Sequence, residues 1–161
     1  MNKLILGQSN NELGVFANKP FRRLQEIIQF KGKLFTREQL PKPYDKVEDH
    51  YVQIGKNLYM GPSGQLDDLF NHSCNPNSGL RISNQKVVLI AIKDILRKEE
   101  ITWDYSTTMD EDNWELDCTC KSENCRKRIR DFKYLSKELQ QKYISLKIVP
   151  RYILENLRQN Y

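Results

Sequence analysis

The sequence has few cysteines and histidines and contains no long apolar run. Its 161 residues include four cysteines and two histidines. No apolar stretch approaches the ~18 residues that favour a membrane helix, and the opening residues MNKLILG are too short for a signal peptide. We therefore expect an intracellular protein, cytoplasmic or nuclear. Thiols stay reduced there, so clustered cysteines favour a metal site over disulfides.

Basic residues are absent between positions 99 and 117, where eight residues are acidic. The sign of the charge reverses between positions 121 and 133, which hold six lysines and arginines. Either run alone is as compatible with solvated loops as with a function. The functional interpretation is an acidic rim that attracts a cationic substrate, next to a basic flank.

The chain also lacks internal repeats, low-complexity tracts and linkers, which is typical of one domain at this length. Hydrophobic residues make up 39% of it, enough for a modest core. Short β-favourable stretches bounded by turn residues predict strands. They lie at 4–6, 13–17, 24–30, 51–54, 57–60, 80–82, 87–92 and 101–103. The pair around residues 83–86 is the clearest hairpin, and Thr36 with Gln39 fits a capping box for one helical turn.

Near the C-terminus the hydrophobic period changes to that of a helix. Leucines and a tyrosine recur on one helical face, with Ser136 as the N-cap; they are Leu135, Leu139, Tyr143 and Leu146. Pro150 opens a second short helix that carries Ile153, Leu154 and Leu157. Many short strands followed by a helical tail predict an α+β fold that is mainly β.

Three of the four cysteines fall within eight residues, Cys118-Thr-Cys-Lys-Ser-Glu-Asn-Cys125. Three thiolates this close can converge on one zinc ion, which takes four tetrahedral ligands. Cys74 is the remaining thiol, and His72 is the competing fourth ligand. A site closed by four thiolates would be structural, because no position stays open for water. His50, the other histidine, is more typical of a surface or core position.

Three motifs then occur in order: Asn-His-Ser-Cys-x-Pro-Asn from Asn71, Glu-x-Thr-aromatic-Asp-Tyr from Glu100, and Cys-x-Cys-x4-Cys from Cys118. Their order and spacing resemble those of the SET-domain protein lysine methyltransferases, including the post-SET segment. The stretch from Leu13 to Ala17 resembles the end of the family's N-terminal Gly-x-Gly motif. The resemblance covers roughly residues 10–130.

The resemblance implies a SET-domain β-fold of small sheets, in which residues 71–77 and the stretch around Tyr105 are threaded into a pseudoknot. It divides the chain into a SET domain at 1–115, a post-SET zinc-binding segment at 116–134 and a C-terminal helical tail at 135–161. It also implies S-adenosylmethionine as methyl donor, a structural Zn²⁺ and a lysine-containing protein or peptide substrate.

The resemblance further assigns roles to single residues. Tyr105 would be the catalytic tyrosine, and Trp103 would line the channel for the substrate lysine. The donor would be bound by Gly14, Asn71 and His72. The zinc ligands would be Cys74, Cys118, Cys120 and Cys125. The chemistry requires a neutral lysine amine, whose ordinary pKa is about 10.4, and a desolvating aromatic channel lowers that value.

The sequence departs from the family pattern in several places. Glu12 occupies the first Gly of Gly-x-Gly, and Trp103 replaces the usual Phe or Tyr. Residues 68–70 differ from the Arg-Phe of many relatives, and Lys127 stands where a Gly often follows the last zinc ligand. Two alternatives therefore stay open: a SET-fold scaffold without turnover, and a small zinc-bearing nucleic-acid-binding protein that uses the basic run.

Overall fold

Short antiparallel strands form most of the fold. The computed structural model describes residues 2–10, 12–41, 50–112 and 114–159. Within them it contains ten strands: β1 Leu4–Ser9, β2 Glu12–Ala17, β3 Glu26–Gln29, β4 Leu34–Phe35, β5 Val52–Gly55, β6 Leu58–Met60, β7 Ser78–Ser83, β8 Lys86–Ala91, β9 Glu115–Asp117 and β10 Arg128–Arg130. Two helices follow, α1 Lys137–Ser145 and α2 Arg151–Gln159. The predicted α+β, mainly β fold is confirmed.

The strands form four small sheets. Two of these are the pairs β1–β2 and β9–β10, and the other two are three-stranded, in the orders β3-β8-β7 and β4-β6-β5. The predicted hairpin is β7–β8, with Leu80 opposite Leu89. Its two turn residues, Asn84 and Gln85, have φ values of 48° and 65°. Positive φ at both positions is what a tight type I′ hairpin turn requires.

The prediction of a strand at 101–103 is wrong. This segment makes only isolated bridges, from Glu100 to Phe16 and from Trp103 to His72. Its backbone lies between two partners, since the N–H of Ile101 donates to Val15 and the N–H of Trp103 donates to Asn71. Each contact is too brief to form a ladder. The first and second sequence motifs are nevertheless brought side by side by this crossing.

Strand β8 is buried on both faces, which explains its unbroken apolar run. Val87, Leu89 and Ala91 point into the first core, with β1, β2 and β3. The alternate residues Val88 and Ile90 point into a second core, formed with the C-terminal helices. Successive side chains of a strand face opposite sides. A strand covered on both faces is therefore apolar throughout rather than alternating.

The helical tail begins where the sequence predicts it. Ser136 caps α1 by accepting a hydrogen bond from the N–H of Leu139 at 3.3 Å. The helix ends near Lys147, which has a left-handed φ of 56°; this conformation is common just after helices. Pro150 then precedes α2, and a proline suits the start of a helix because it lacks an N–H. None of the described helices is long and apolar enough to cross a membrane.

Candidate active site and metal centre

The three sequence motifs meet at one cleft of about 680 Å³. Such a volume lies in the range of small-molecule and cofactor sites. The described lining residues include seven acidic residues and a single lysine, Lys93. The acidic residues are Glu12, Asp67, Asp68, Glu99, Glu100, Glu115 and Asp117. A wall of this composition favours a positively charged occupant.

Trp103 and Tyr105 form an aromatic pair on the wall of the cleft. Their ring centroids are 4.7 Å apart, at an interplanar angle of 48°. The Tyr105 hydroxyl donates to the backbone oxygen of Phe70 at 2.8 Å. Burial, followed by the nearby carboxylates of Glu12 and Glu100, raises the pKa of Tyr105 well above its ordinary value. The phenol is therefore neutral near pH 7 and cannot serve as a base there.

His72 is held by protein atoms at both ring nitrogens. Its Nδ1 accepts a hydrogen bond from the backbone N–H of Tyr105 at 3.2 Å. Its Nε2 lies 3.3 Å from the sulfur of Cys74. Burial lowers the pKa of the ring to about 4, so the imidazole is neutral. A neutral ring whose Nδ1 accepts a hydrogen bond carries its proton on Nε2, facing the thiol.

The side chain of Asn71 is fixed by the half-buried carboxylate of Glu100. Its Nδ2 donates to the oxygen of Leu13 at 3.1 Å and to Oε1 of Glu100 at 2.9 Å. The second oxygen of Glu100 accepts from the hydroxyl of Ser9 at 2.7 Å. A three-residue network thus ties the first motif to β1 and to the start of the second motif.

Gly14 lies directly beneath this network. A Cβ at this position would lie 2.5 Å from Oε1 of Glu100 and 3.0 Å from Nδ2 of Asn71. The described lining of the cleft includes the preceding residues, Glu12 and Leu13, rather than Gly14 itself. Gly14 is therefore required for the close approach of Asn71 and Glu100. That it also contacts a donor through its backbone stays a prediction.

The four cysteines lie together as free thiols at the edge of the cleft. The sulfur of Cys118 is 3.7 Å from that of Cys74 and 3.7 Å from that of Cys125. Four sulfurs around a tetrahedral zinc, each about 2.3 Å from the ion, would be separated by about 3.8 Å. The observed sulfur separations therefore fit a zinc–thiolate centre.

Three cysteines, Cys74, Cys118 and Cys120, have two candidates for the fourth ligand, His72 and Cys125. Among the described residues, ligand atoms of His72, Cys74, Cys118 and Cys120 all lie within 4.8 Å of one another. Cys125 adjoins this group through Cys118. Two backbone N–H groups also point at sulfurs: that of Cys74 at Cys120 and that of Arg126 at Cys74, both at 3.4 Å. Such donors stabilise thiolates.

Sequence reasoning did not assign roles to Glu100, Asp104 or Trp114. Glu100 holds Asn71, and Asp104 is a fully buried carboxylate bound by both terminal nitrogens of Arg126 at 2.7 Å. Trp114 lines the cleft just before the zinc segment. The first two are the acidic positions of the Glu-x-Thr-aromatic-Asp-Tyr motif. The available signal was an acidic residue on each side of the β-favourable stretch 101–103, because carboxylates taken out of water need specific partners.

Comparison with known proteins gives a consistent result. Residues 12–106 match the family model of the SET domain. A variant-silencing SET domain-containing protein of Plasmodium falciparum is 31% identical over 131 residues, which cover 70% of this chain and 5% of that protein. Histone-lysine N-methyltransferase trr of Drosophila melanogaster is 27% identical over 142 residues, 78% of this chain and 6% of that protein. The chain thus spans a small fraction of the length of these relatives.

A solved structure is similar over most of its own length. It is the crystal structure of a candidate histone methyltransferase of Plasmodium falciparum. The two folds superpose with a TM-score of 0.54 at 26% sequence identity, covering 65% of this chain and 94% of that one.

Proposed function

Because the chain belongs to the SET-domain family, we propose that it is a protein-lysine N-methyltransferase. It would transfer a methyl group from S-adenosylmethionine to a lysine side chain of a histone or non-histone protein. The observation that carries this proposal is the meeting of Asn71, Trp103 and Tyr105 in one acidic cleft. A histone substrate would place the protein in the nucleus.

The donor-binding part of the proposal concerns the first motif. S-adenosylmethionine would supply an electrophilic methyl group on a positively charged sulfur, which suits the carboxylate-rich wall. Residues 71 and 73 pair with the backbone of Trp103. Backbone groups of successive residues in an extended segment point to opposite sides. The N–H and C=O of His72 therefore point away from Trp103, where they can bind a donor.

The catalytic part concerns the aromatic pair. Trp103 and Tyr105 would desolvate the entering lysine, which disfavours its ammonium form. Because the Tyr105 hydroxyl donates its hydrogen bond to the backbone oxygen of Phe70, the lone pairs of the hydroxyl oxygen can accept a hydrogen bond from the amine. Tyr105 would thus orient the nucleophile rather than remove a proton. Holding reactants in line is a large source of rate.

We further propose that Cys74, Cys118, Cys120 and Cys125 bind one structural Zn²⁺. His72 is the weaker candidate for a ligand because its Nδ1 accepts the Tyr105 N–H. That bond leaves the ring proton on Nε2, and a protonated nitrogen cannot bind a metal. It can instead donate a hydrogen bond to the Cys74 thiolate, as groups around metal ligands commonly do.

The nucleic-acid alternative is disfavoured by the ion pairs of the basic run. Arg126 pairs with Asp104 at 2.7 Å, Arg128 pairs with Glu115 at 3.2 Å, and Lys133 pairs with Asp112. Half of the six basic residues thus face acidic partners from residues 99–117. A phosphate backbone would have to compete with these contacts. The scaffold alternative predicts an intact fold that binds no donor or transfers no methyl.

Calorimetric titration with S-adenosylmethionine and with its demethylated product tests donor binding. We expect saturable one-to-one binding by the zinc-loaded protein, weakened by Asn71→Ala. The matched control is Asn18→Ala, since Asn18 lies outside the described lining of the cleft and its side chain donates to the backbone oxygen of Asn2. Absence of binding with zinc present would refute the proposal. Transfer of a labelled methyl group to lysine-rich protein then tests turnover.

A further inference from the structure

A buried carboxylate joins the active-site turn to two distant parts of the chain. Asp104 caps the helical turn Tyr105–Thr107, and its Oδ1 accepts the N–H of Ser106 at 3.1 Å. Arg126, which directly follows Cys125, donates to both of its oxygens at 2.7 Å. The Asp104 side chain is fully buried. Its orientation therefore depends on protein partners alone.

A further partner comes from the C-terminal helical tail. The hydroxyl of Tyr143, on α1, lies 2.9 Å from Oδ2 of Asp104. The ring of Tyr143 is fully buried in the second core, against α2 and the outer face of β8. Burial, followed by the neighbouring carboxylate, raises the pKa of Tyr143 well above its ordinary value. The hydroxyl thus stays protonated and donates a hydrogen bond to Asp104.

The orientation of Asp104 affects two groups of the proposed catalytic site. Tyr105 follows Asp104 directly, and its N–H donates to Nδ1 of His72. The same Nδ1 lies 3.6 Å from Oδ1 of Asp104. A rotation of the carboxylate would therefore disturb both the turn that carries Tyr105 and the ring of His72.

The tail contacts this region at two further points. The hydroxyl of Tyr152 lies 2.5 Å from the backbone oxygen of Thr108 and 3.0 Å from that of Gln53, and these two oxygens share its single hydrogen. The side chain of Asn156 donates to Asp110. Both Thr108 and Asp110 follow the turn of Tyr105 within a few residues. Side chains of α2 thus contact the segment that follows Tyr105, although both helices lie outside the matched region 12–106.

We infer that Tyr143 is a positioning residue for methyl transfer: its hydroxyl fixes Asp104, and through Asp104 the backbone of Tyr105. The helical tail is then part of the support of the active site. The inference rests on the proposed function for its catalytic consequence. Its structural core, the control of the Tyr105 amide by Tyr143, does not depend on turnover.

The test compares Tyr143→Phe with Ser136→Ala. Tyr143→Phe removes one hydroxyl and keeps the buried ring, while Arg126 and Ser106 still satisfy Asp104, so we expect it to fold. Ser136→Ala removes the N-cap of the same helix but leaves the Tyr143 hydroxyl in place. It controls for a general loosening of α1.

The first readout is hydrogen exchange of the Tyr105 amide, measured by NMR relative to the amide of Leu89 in β8. We expect about tenfold faster relative exchange in Tyr143→Phe and no change in Ser136→Ala. An unchanged ratio in Tyr143→Phe, or an equal rise in both variants, would overturn the inference. This readout needs no substrate, so it decides the inference even if the wild-type protein transfers no methyl group.

The second readout is the steady-state kinetics of methyl transfer to a protein substrate that the wild-type protein methylates. We expect kcat of Tyr143→Phe to fall about tenfold, because small displacements of reacting groups are costly, while donor affinity and zinc content stay at wild-type levels. A loss that appears only in KM, or that Ser136→Ala shares, would overturn the positioning role. Absence of transfer by wild-type protein would instead refute the proposed function.

Discussion

The hydroxyl of Tyr105 donates to the backbone oxygen of Phe70 at 2.8 Å. Phe70 directly precedes Asn71, so this bond joins the second sequence motif to the first across 35 residues. The bond also fixes the orientation of the hydroxyl group, so that the lone pairs of its oxygen point away from Phe70. A hydroxyl oriented in this way can accept a hydrogen bond without first being reorganised.

Tyr105→Phe should therefore keep the fold and donor binding but lose methyl transfer. We expect kcat to fall by about 10²-fold, the usual loss when one oriented polar group is removed from an active site. Transfer of a labelled methyl group and calorimetric donor titration measure the two properties. Tyr134→Phe is the control, since Tyr134 is 47% exposed and lies outside the described lining of the cleft. Full activity of Tyr105→Phe would remove Tyr105 from the catalytic role.

The zinc ligands can be identified by metal content. Cys118→Ser and Cys125→Ser should each lose zinc and loosen the C-terminal third of the chain, because a structural site contributes directly to folding. His72→Gln should retain one zinc per chain. Elemental analysis of the purified variants measures this. Zinc retained in Cys125→Ser but lost in His72→Gln would mean that His72 is the fourth ligand.

Glu100→Gln should weaken donor binding through Asn71. Glu100 accepts hydrogen bonds from Ser9 and Asn71 with its two oxygens, and a glutamine would turn an NH₂ group toward one of these donors. The substitution also removes the negative charge from both bonds, and a hydrogen bond to a charged group contributes about 1.5–3 kcal/mol, roughly twice as much as one between neutral groups. We expect a lower free energy of unfolding in urea. We also expect a roughly tenfold weaker donor affinity by calorimetry, which corresponds to a loss of about 1.4 kcal/mol in binding free energy.

Glu26→Gln provides the matched control for this substitution. Glu26 lies exposed on β3, outside the described lining of the cleft. The same chemical change there should alter neither donor affinity nor stability by more than about 0.5 kcal/mol. Equal effects at positions 26 and 100 would show that the loss reflects net charge rather than the network around Asn71.

Local patterns in the sequence predict the elements of this fold well. The apolar run of β8 and the leucine spacing of α1 are properties of neighbouring residues, and both elements occur as predicted. The contact between Ser9 and Glu100 joins residues 91 positions apart, and no local period encodes such a pair. The same holds for Asp104 and Tyr143, 39 positions apart. The motif order locates the site, but the partners that hold it depend on tertiary packing.

The segment at 101–103 shows how a local pattern can predict a strand that does not form. Its β-branched and aromatic residues favour an extended backbone, and the backbone is extended enough to bridge Trp103 to His72. A strand also needs a continuous partner, which this segment lacks within the described residues. Propensity therefore predicted the local conformation but not the pairing.

A buried carboxylate away from the cysteines should make stability depend on pH. Glu111 is 7% exposed, accepts a hydrogen bond from the Tyr59 hydroxyl and lies near Asp131. Burial, opposed by the charge of Arg37 and assisted by Asp131, raises the pKa of Glu111 from 4.5 to about 7. The folded protein therefore holds a proton that the unfolded chain releases between about pH 4.5 and pH 7.

Stability from this group is present at low pH and is lost as the pH rises through about 7, since the folded state binds more protons in that window. Glu111→Gln cannot titrate, so the wild-type protein should lose on the order of 3 kcal/mol relative to this variant between about pH 4.5 and pH 8. Urea unfolding of both zinc-loaded proteins across this range measures the difference. Any effect of pH on zinc binding is shared by the two proteins and cancels in the difference. A difference that stays constant with pH would mean that Glu111 titrates as an ordinary carboxylate, and that the hydrogen bond from Tyr59 offsets the effects of burial and of Asp131.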